Sequence, residues 1–258
     1  MPPVSLLRTA VLAHFARPHL VALTARLAAE DRASHVWSAY ALRAHERLVA
    51  LRAADSRLTR RRIARELLDK HVPRARMLGM HAVERDIGDA ALAVLAPLRS
   101  ARIEQTVAER AGAASAAMEL MQGLVDRMVH PSLAVRMWTE RRTKAIHSID
   151  EKMRRCGMKR ADMVDDVFAM RLILCTDQAH ACHSALNAFR KEVHVRAVHD
   201  YVTAPKRNGY RSLHAVVVAS SGATVELQIR TVGMHRIAEH GTAAHWRYKR
   251  RSARKKKS

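Results

Sequence analysis

The sequence predicts an α+β protein, a helical first part followed by a mixed β-sheet flanked by helices. Three observations carry this prediction. Residues 1–78 contain no glycine, and Pro18 is the only proline between Val4 and Lys70. Loop punctuation is therefore missing where long helices joined by short turns are expected. After Pro131 strand-like runs separated by turn residues begin, and seven of the ten aromatic residues lie there. Aromatics are only 4% of the chain, which suits helices packed through Ala, Leu and Met better than an all-β sandwich.

The elements follow in order. Ala, Leu and Arg, strong helix formers, dominate the first part, and Leu48, Leu51, Ile63, Leu67 and Leu68 recur at helical spacing. The pattern continues over residues 74–98, where Pro97 breaks it, and another helix is expected over about 101–129, ended by Pro131. Residues 146–155 look helical. The run Arg171, Leu172, Ile173, Leu174, Cys175 is of buried-strand type, and residues 178–193 return to helix. His199 and Asp200 fall on a strand. Residues 214–218 and 225–230 flank Ser220, Ser221, Gly222 and Ala223, a hairpin turn. A last helix is expected over 234–246. The chain is expected to divide into a helical region (1–95), an α+β region (96–249) and a basic tail (250–258), whose cation run reads as a solvated end.

The 258 residues carry 46 Lys+Arg against 24 Asp+Glu, a net +22. Such a surface attracts polyanions, among them nucleotide polyphosphates, RNA, the ribosome and acidic lipids. With 48% hydrophobic residues the chain is globular rather than disordered. Its 3 cysteines are too few for a disulfide scaffold and fit a reducing cytoplasm. No apolar stretch approaches the roughly 20 residues that span a bilayer. Residues 4–27 are Ala/Leu-rich, but Arg8, His14, Arg17, His19 and Arg26 interrupt them, so they read as an amphipathic helix and not a targeting peptide. No P-loop, Rossmann glycine fingerprint, HExxH or nucleophile elbow is present.

The sharpest signal lies in the hairpin. Val225, Leu227 and Ile229 face one way and Glu226, Gln228 and Arg230 the other. An acid, an amide and a base on a buried-looking strand are costly unless they line a site. Asp166 precedes the Arg171 strand, so a sheet could join Asp166 and Glu226 as a Mg²⁺ pair; surface acids neutralised by arginines are the alternative. Pro205 to Ser212 form a loop in which Asn208 and Gly209 make a turn that holds out Lys206 and Arg211 beside Tyr210, a set suited to a nucleotide or to a structural turn. Arg142 and Lys144 lie at strand spacing, with Lys152 two helical turns on, as a phosphate-binding group or a solvated basic face. Cys175, His180, Cys182 and His183 match no standard zinc spacing.

Together these segments resemble the synthetase domain of the RelA/SpoT family, which makes the alarmones ppGpp and pppGpp. The residues that carry the likeness are Arg142, Lys144, Ser148, Ile149, Lys152 and Met153, then Asp166 to Arg171. They continue through Asp200, Tyr201, Pro205, Lys206, Asn208, Gly209, Tyr210, Ser212, Leu213 and His214, and then Val225, Glu226, Gln228, Arg230 and Thr231. Met234, His235, Ala238, Glu239, Gly241, Ala243, Ala244, His245 and Trp246 close the set, in the family's order. Upstream, Glu66, His71, Pro73, Leu78 and Gly79 are similar to the helices joining the family's hydrolase and synthetase domains, so the likeness spans about residues 40–250.

The resemblance implies a fold similar to polymerase-β-type nucleotidyltransferases, and transfer of the pyrophosphoryl group of ATP to the 3′-hydroxyl of GDP or GTP. It implies Mg²⁺ on Asp166 and Glu226, with Glu226 also helping to deprotonate the hydroxyl. Arg142, Lys144 and Lys152 would meet the ATP phosphates; Lys206, Asn208, His214 and Gln228 would line the acceptor side, and Tyr210 would stack on guanine. Two departures stand out. Where long members carry a charged Arg-x-Lys-Asp or Glu-x-Asp-Asp motif, this chain reads Ala197, Val198, His199, Asp200. The hydrolase's Asp-Arg-Leu-His-Asn stretch reads Glu46, Arg47, Leu48, Val49, Ala50, so hydrolysis of the alarmone is not expected and the helical region resembles a hydrolase remnant. The expectation is a cytoplasmic synthetase. Its rival is a non-catalytic homologue that binds guanine nucleotides, or RNA or ribosomes through its basic surface.

Overall fold

A computed structural model describes residues 31–129, 135–207 and 209–240. The predicted helix over 4–27, Pro131, Asn208, the stretch towards Trp246 and the basic tail lie outside the described residues. The chain forms two compact units, Met1–Ala101 and Arg102–Ser258.

In the first unit α1 (Asp31–Ala53) leads to α2 (Arg57–Glu66), whose N-terminus is capped by Ser56. A π-helical turn, Leu67–His71, joins α2 to α3 (Val72–Met77), and α4 (His81–Leu95) follows. The residues singled out at helical spacing meet here: Leu48, Leu51, Ile63 and Leu67 pack with Tyr40, Val72, Ile87 and Ala91 in one core. Residues 74–98 are not the continuous helix their pattern suggests. Gly79 takes a left-handed φ of 68°, a conformation glycine adopts without the Cβ penalty, and the Met80 N–H turns back to the Ala75 carbonyl at 2.9 Å. Pro97 opens the next helix, α5 (Pro97–Leu124), where its fixed φ and missing N–H cost nothing.

The second unit is built on a five-stranded mixed sheet: β1 (Met137–Thr143), β2 (Phe168–Leu174), β3 (His194–Asp200), β4 (Leu213–Val218) and β5 (Thr224–Thr231). Its spatial order is β1-β2-β5-β4-β3. β2 and β5 run parallel, and the remaining neighbours are antiparallel. Helices α6 (Ile146–Cys156), α7 (His180–Arg190) and α8 (Val232–His240) complete the unit. Gly222, with φ 79°, makes the β4–β5 hairpin turn. β2 begins three residues earlier than the apolar run suggests. It lies inside the sheet, and Met170, Leu172, Ile173 and Leu174 are fully buried, as expected of a strand covered on both sides.

One face of the sheet holds the core. Met170, Leu172, Leu174, Val225, Leu227, Ile229, Ala215 and Val217 pack with Met121 of α5, Ile149 of α6 and Phe189 of α7. Each fully buried Leu or Phe contributes roughly 1.5–3 kcal/mol over its exposed state. Along β5 burial alternates, Val225, Leu227 and Ile229 being sealed while Glu226 and Gln228 are half-buried, as the period-2 reading requires. Arg230 breaks the alternation: it sits on the polar side yet is 1% exposed. No helix among the described residues is long and apolar enough to cross a membrane.

Candidate active site

The site is the second face of this sheet, and strand register assembles it. Glu140, Arg171, Gln228, His214 and His199 are successive register partners across all five strands. The adjacent row on the same face reads Arg142, Ala169, Glu226, Val216, Ala197. Residues as far apart in sequence as 171 and 228 therefore become neighbours through backbone pairing alone.

A hydrogen-bonded network runs through the first row. Arg171 Nη1 lies 3.3 Å from Glu140 Oε2 and 3.1 Å from Glu239 Oε1 of α8, and its Nε donates to Gln228 Oε1 at 3.3 Å. Arg230 Nη2 donates to Gln228 Oε1 at 2.7 Å and to the Tyr210 hydroxyl at 3.2 Å, with Nη1 3.7 Å from Glu239. The Gln228 amide in turn donates to Glu226 Oε2. A buried arginine is costly unless paired and hydrogen-bonded; Arg230 is bonded only through Nη2, while Nε and Nη1 are buried without a hydrogen-bond partner and Glu239 supplies charge compensation at 3.7 Å.

Glu226 is held from its other side. His214 Nδ1 is 2.8 Å from Glu226 Oε1, and His214 Nε2 is 2.7 Å from the Tyr210 hydroxyl. His214 thus bridges the two, one ring nitrogen to the glutamate and the other to the tyrosine hydroxyl. Burial pushes the Glu226 carboxyl up, while the His214 hydrogen bond and charge and the Gln228 amide outweigh it and hold the group below the usual glutamate range. The charge of Asp166 acts on Glu226 in the upward direction, so the two carboxylates feel each other.

Asp166 sits in the turn before β2 and not within the strand. The Lys144 N–H bonds the Val167 carbonyl at 2.8 Å, which ties the end of β1 to that turn. As a result Lys144 Nζ reaches Asp166 Oδ2 at 2.8 Å, and Lys152 Nζ, from α6, reaches Oδ1 at 2.8 Å. Burial raises the Asp166 pKa, but the two ammonium groups, Lys144 foremost, offset this and hold it below the ordinary value. Arg142 stands exposed on the same face, one strand from Ala169.

The loop after β3 supplies aromatic and cationic groups. The Asp200 carboxylate accepts from the Val202 and Thr203 N–H groups at 2.9 Å, from the Thr203 hydroxyl at 2.7 Å, and contacts His183 Nε2 at 2.9 Å. These contacts outweigh desolvation and hold its pKa far below the usual aspartate value. The turn they fix leads to Lys206, whose ammonium lies 4.0 Å from the Tyr201 ring centre and 5.0 Å from that of Tyr210. Burial lowers the Lys206 pKa, with Glu226 opposing. Tyr201 also stacks on His199 at 6.2 Å and 13°.

Of the residues singled out by sequence, the structure gathers Asp166, Lys144 and Lys152 into one cluster and Glu226, Gln228, His214, Tyr210 and Lys206 into another. Asn208 lies outside the described residues. Sequence reasoning gave no role to Arg171, Glu140, Glu239 or Tyr201. Arg171 carried a readable signal, a lone cation opening an apolar strand; Glu239 carried none, because a helix-to-sheet contact has no local period. The Asp166 and Glu226 oxygens are hard donors of the kind Mg²⁺ prefers, and two ammonium groups already stand on one of them as cations. The donor set therefore fits a divalent ion completed by substrate phosphates.

Residues 141–253 match the family model described as the region found in RelA/SpoT proteins. Over 192 residues, 72% of this chain, the sequence is 35% identical to a GTP pyrophosphokinase of Streptomyces coelicolor, of which 22% is covered. It is 33% identical over 193 residues to the bifunctional (p)ppGpp synthase/hydrolase SpoT of Escherichia coli, covering 74% of this chain and 27% of that one. Among solved structures, a GTP pyrophosphokinase family protein from Streptococcus pneumoniae shares 23% identity at a TM-score of 0.45, over 57% of this chain and 77% of that one. The chain spans about a quarter of the length of these curated relatives.

Proposed function

We propose, from the premise that the chain belongs to the RelA/SpoT family through residues 141–253, that it is an alarmone synthetase moving the β,γ-pyrophosphoryl group of ATP to the 3′-hydroxyl of GDP or GTP. The observation that carries this reading is the pair of carboxylates whose charges influence each other. Asp166 is flanked by Lys144 and Lys152 and is electrostatically coupled to Glu226 on a polar sheet face.

Asp166 and Glu226 are the residues that would hold Mg²⁺, which when bound supplies charge neutralisation on the transferring group and a more acidic hydroxyl. The chain's own groups do the rest by position and charge. Lys144 and Lys152 exchange the Asp166 carboxylate for the ATP phosphates, and Arg142 meets them from β1. Glu226, fixed by His214 and Gln228, accepts the proton of the 3′-hydroxyl at its carboxylate. The hydroxyl oxygen then bonds to the β-phosphorus, the bond from that phosphorus to the α–β bridging oxygen breaks, and AMP leaves. Lys206 and His214 face the acceptor, with Tyr210 set against the guanine and held through its hydroxyl by His214 and Arg230. The first unit is read as a remnant of the family's hydrolase and linker helices; its Arg47, in the place of the altered motif, is engaged by Glu66.

The test is incubation of the protein with labelled ATP, Mg²⁺ and GDP or GTP. Labelled ppGpp or pppGpp is the expected product. The absence of both, with guanine nucleotide still bound, would replace the enzyme with a binding protein. Ala197 favours that second reading, because it stands uncharged in the row of Glu226.

A further inference from the structure

The register of β3 contains one irregularity, and it lies in the row of Glu226. Val195 pairs with Val217 and Ala197 with Val216, so three residues of β3 oppose two of β4 and Arg196 is the extra one. A β-bulge of this kind re-aims a side chain. Here the redirection can be read from the core: Val195 and Val198, three apart, both pack against it, so Arg196 and Ala197 between them both fall on the opposite face. A regular strand would have sent Arg196 and Ala197 to different sides. The bulge therefore sets a guanidinium on the site face beside an alanine that has nothing to offer a nucleotide.

Arg196 also reaches a telling place. Its Nη2 lies 2.5 Å from Asp165 Oδ1, with about half of each side chain exposed. Asp165 is the neighbour of Asp166, in the turn before β2, while β3 is the far edge strand. The pair thus links the edge strand β3 to the turn that carries Asp166. Four other cations of this face are already paired: Lys144 and Lys152 to Asp166, Arg171 and Arg230 to Glu239 and Gln228. Arg196 spends one end of its fork on a solvent-exposed carboxylate, an arrangement worth little in itself and readily exchanged for the bidentate phosphate contact that guanidinium geometry favours.

We propose that Arg196 binds the 5′-polyphosphate of the guanine nucleotide and that Asp165 is the counter-ion with which that polyphosphate competes. Because β3 and β4 carry His199 and His214, the contact belongs to the acceptor and not to ATP, whose candidate residues lie on β1 and α6. The inference rests on the proposed synthetase reading for the identity of the nucleotide.

Calorimetric titration of GDP and of guanosine into the wild type, Arg196→Ala, Arg196→Lys and Asp165→Asn tests it, with KM and kcat for GDP measured beside each. Arg196→Ala should weaken GDP by about tenfold or more, the size of a lost charged hydrogen bond, and raise KM far more than it lowers kcat. Arg196→Lys should recover part of the loss, Asp165→Asn should tighten GDP, and guanosine should bind all four alike. A purely structural ion pair predicts that Arg196→Ala and Asp165→Asn weaken GDP together; that result, unchanged GDP affinity in Arg196→Ala, or a wild type that does not bind GDP would overturn the proposal. A wild type that binds GDP without forming product overturns the synthetase reading alone, and the affinities still decide the role of Arg196.

Discussion

The two faces of β5 are made from alternate residues of one strand, yet they are stabilised by opposite physics. Val225, Leu227 and Ile229 are sealed against helices and need only volume and apolarity. Glu226, Gln228 and Arg230 are also withdrawn from water, and each is tolerated because a specific partner meets it: His214, Arg171, Tyr210 or Glu239. Volume-conserving exchange is mild on the first face. On the second, removal of one partner strands the others, since unpaired buried polar groups cost more than paired ones return. The proposed catalytic centre thus lies on the face where the fold tolerates an expense that apolar residues would have spared it.

Substitutions can break or sharpen that contrast. The largest expected effect is chemical: Asp166→Ala or Glu226→Ala should lower the synthesis rate by on the order of 10²–10³ or more, read by labelled-ATP turnover. Next, Leu227→Ala on the sealed face should cost about 2–5 kcal/mol of stability, read by denaturant unfolding, and any loss of activity there should track the unfolded fraction. Gln228→Ala, which orphans Arg171 and Arg230 donors, should cost about 1–3 kcal/mol and weaken acceptor binding in the fraction that remains folded.

The smallest effect is one of pH. Asp166 is held below its ordinary value by Lys144 and Lys152, so at acid pH the group binds less proton in the folded chain than in the unfolded one. The stabilisation from those two contacts is complete above the unfolded pKa, about 4, and is lost as pH falls through the lower folded value. Asp166→Asn should therefore differ most from the wild type near neutrality, and the gap should close in unfolding curves recorded at progressively acid pH. A gap that widened below pH 4 would show that the lysines do not stabilise the carboxylate.

Much of this was legible in the chain. The alternation over 225–230 announced both faces of β5, and the glycine-free stretch announced the helices of the first unit. Asp166 and the two lysines were found as separate candidates, and their meeting depends on one backbone bond, Lys144 to Val167, that no local pattern encodes. Over residues 74–98 the apolar spacing suggests one helix because it continues through Gly79, whose left-handed φ interrupts it. The sheet order, with β5 between β2 and β4, sets Arg171 beside Gln228; pairing between distant strands is decided by the packing of the whole sheet and leaves no period in either strand. The bulge at Arg196 was invisible for the same reason, since it exists only relative to β4.

The central claim, that the polar face is a catalytic centre, is tested most directly by Glu226→Gln, which keeps shape and removes charge. Single-turnover formation of labelled alarmone and thermal melting would be measured on the same preparation. A rate reduced by about 10² or more with a melting temperature close to that of the wild type is the predicted result. A rate equal to the wild type's, or a loss explained entirely by unfolding, would contradict it and reduce the face to a structural network.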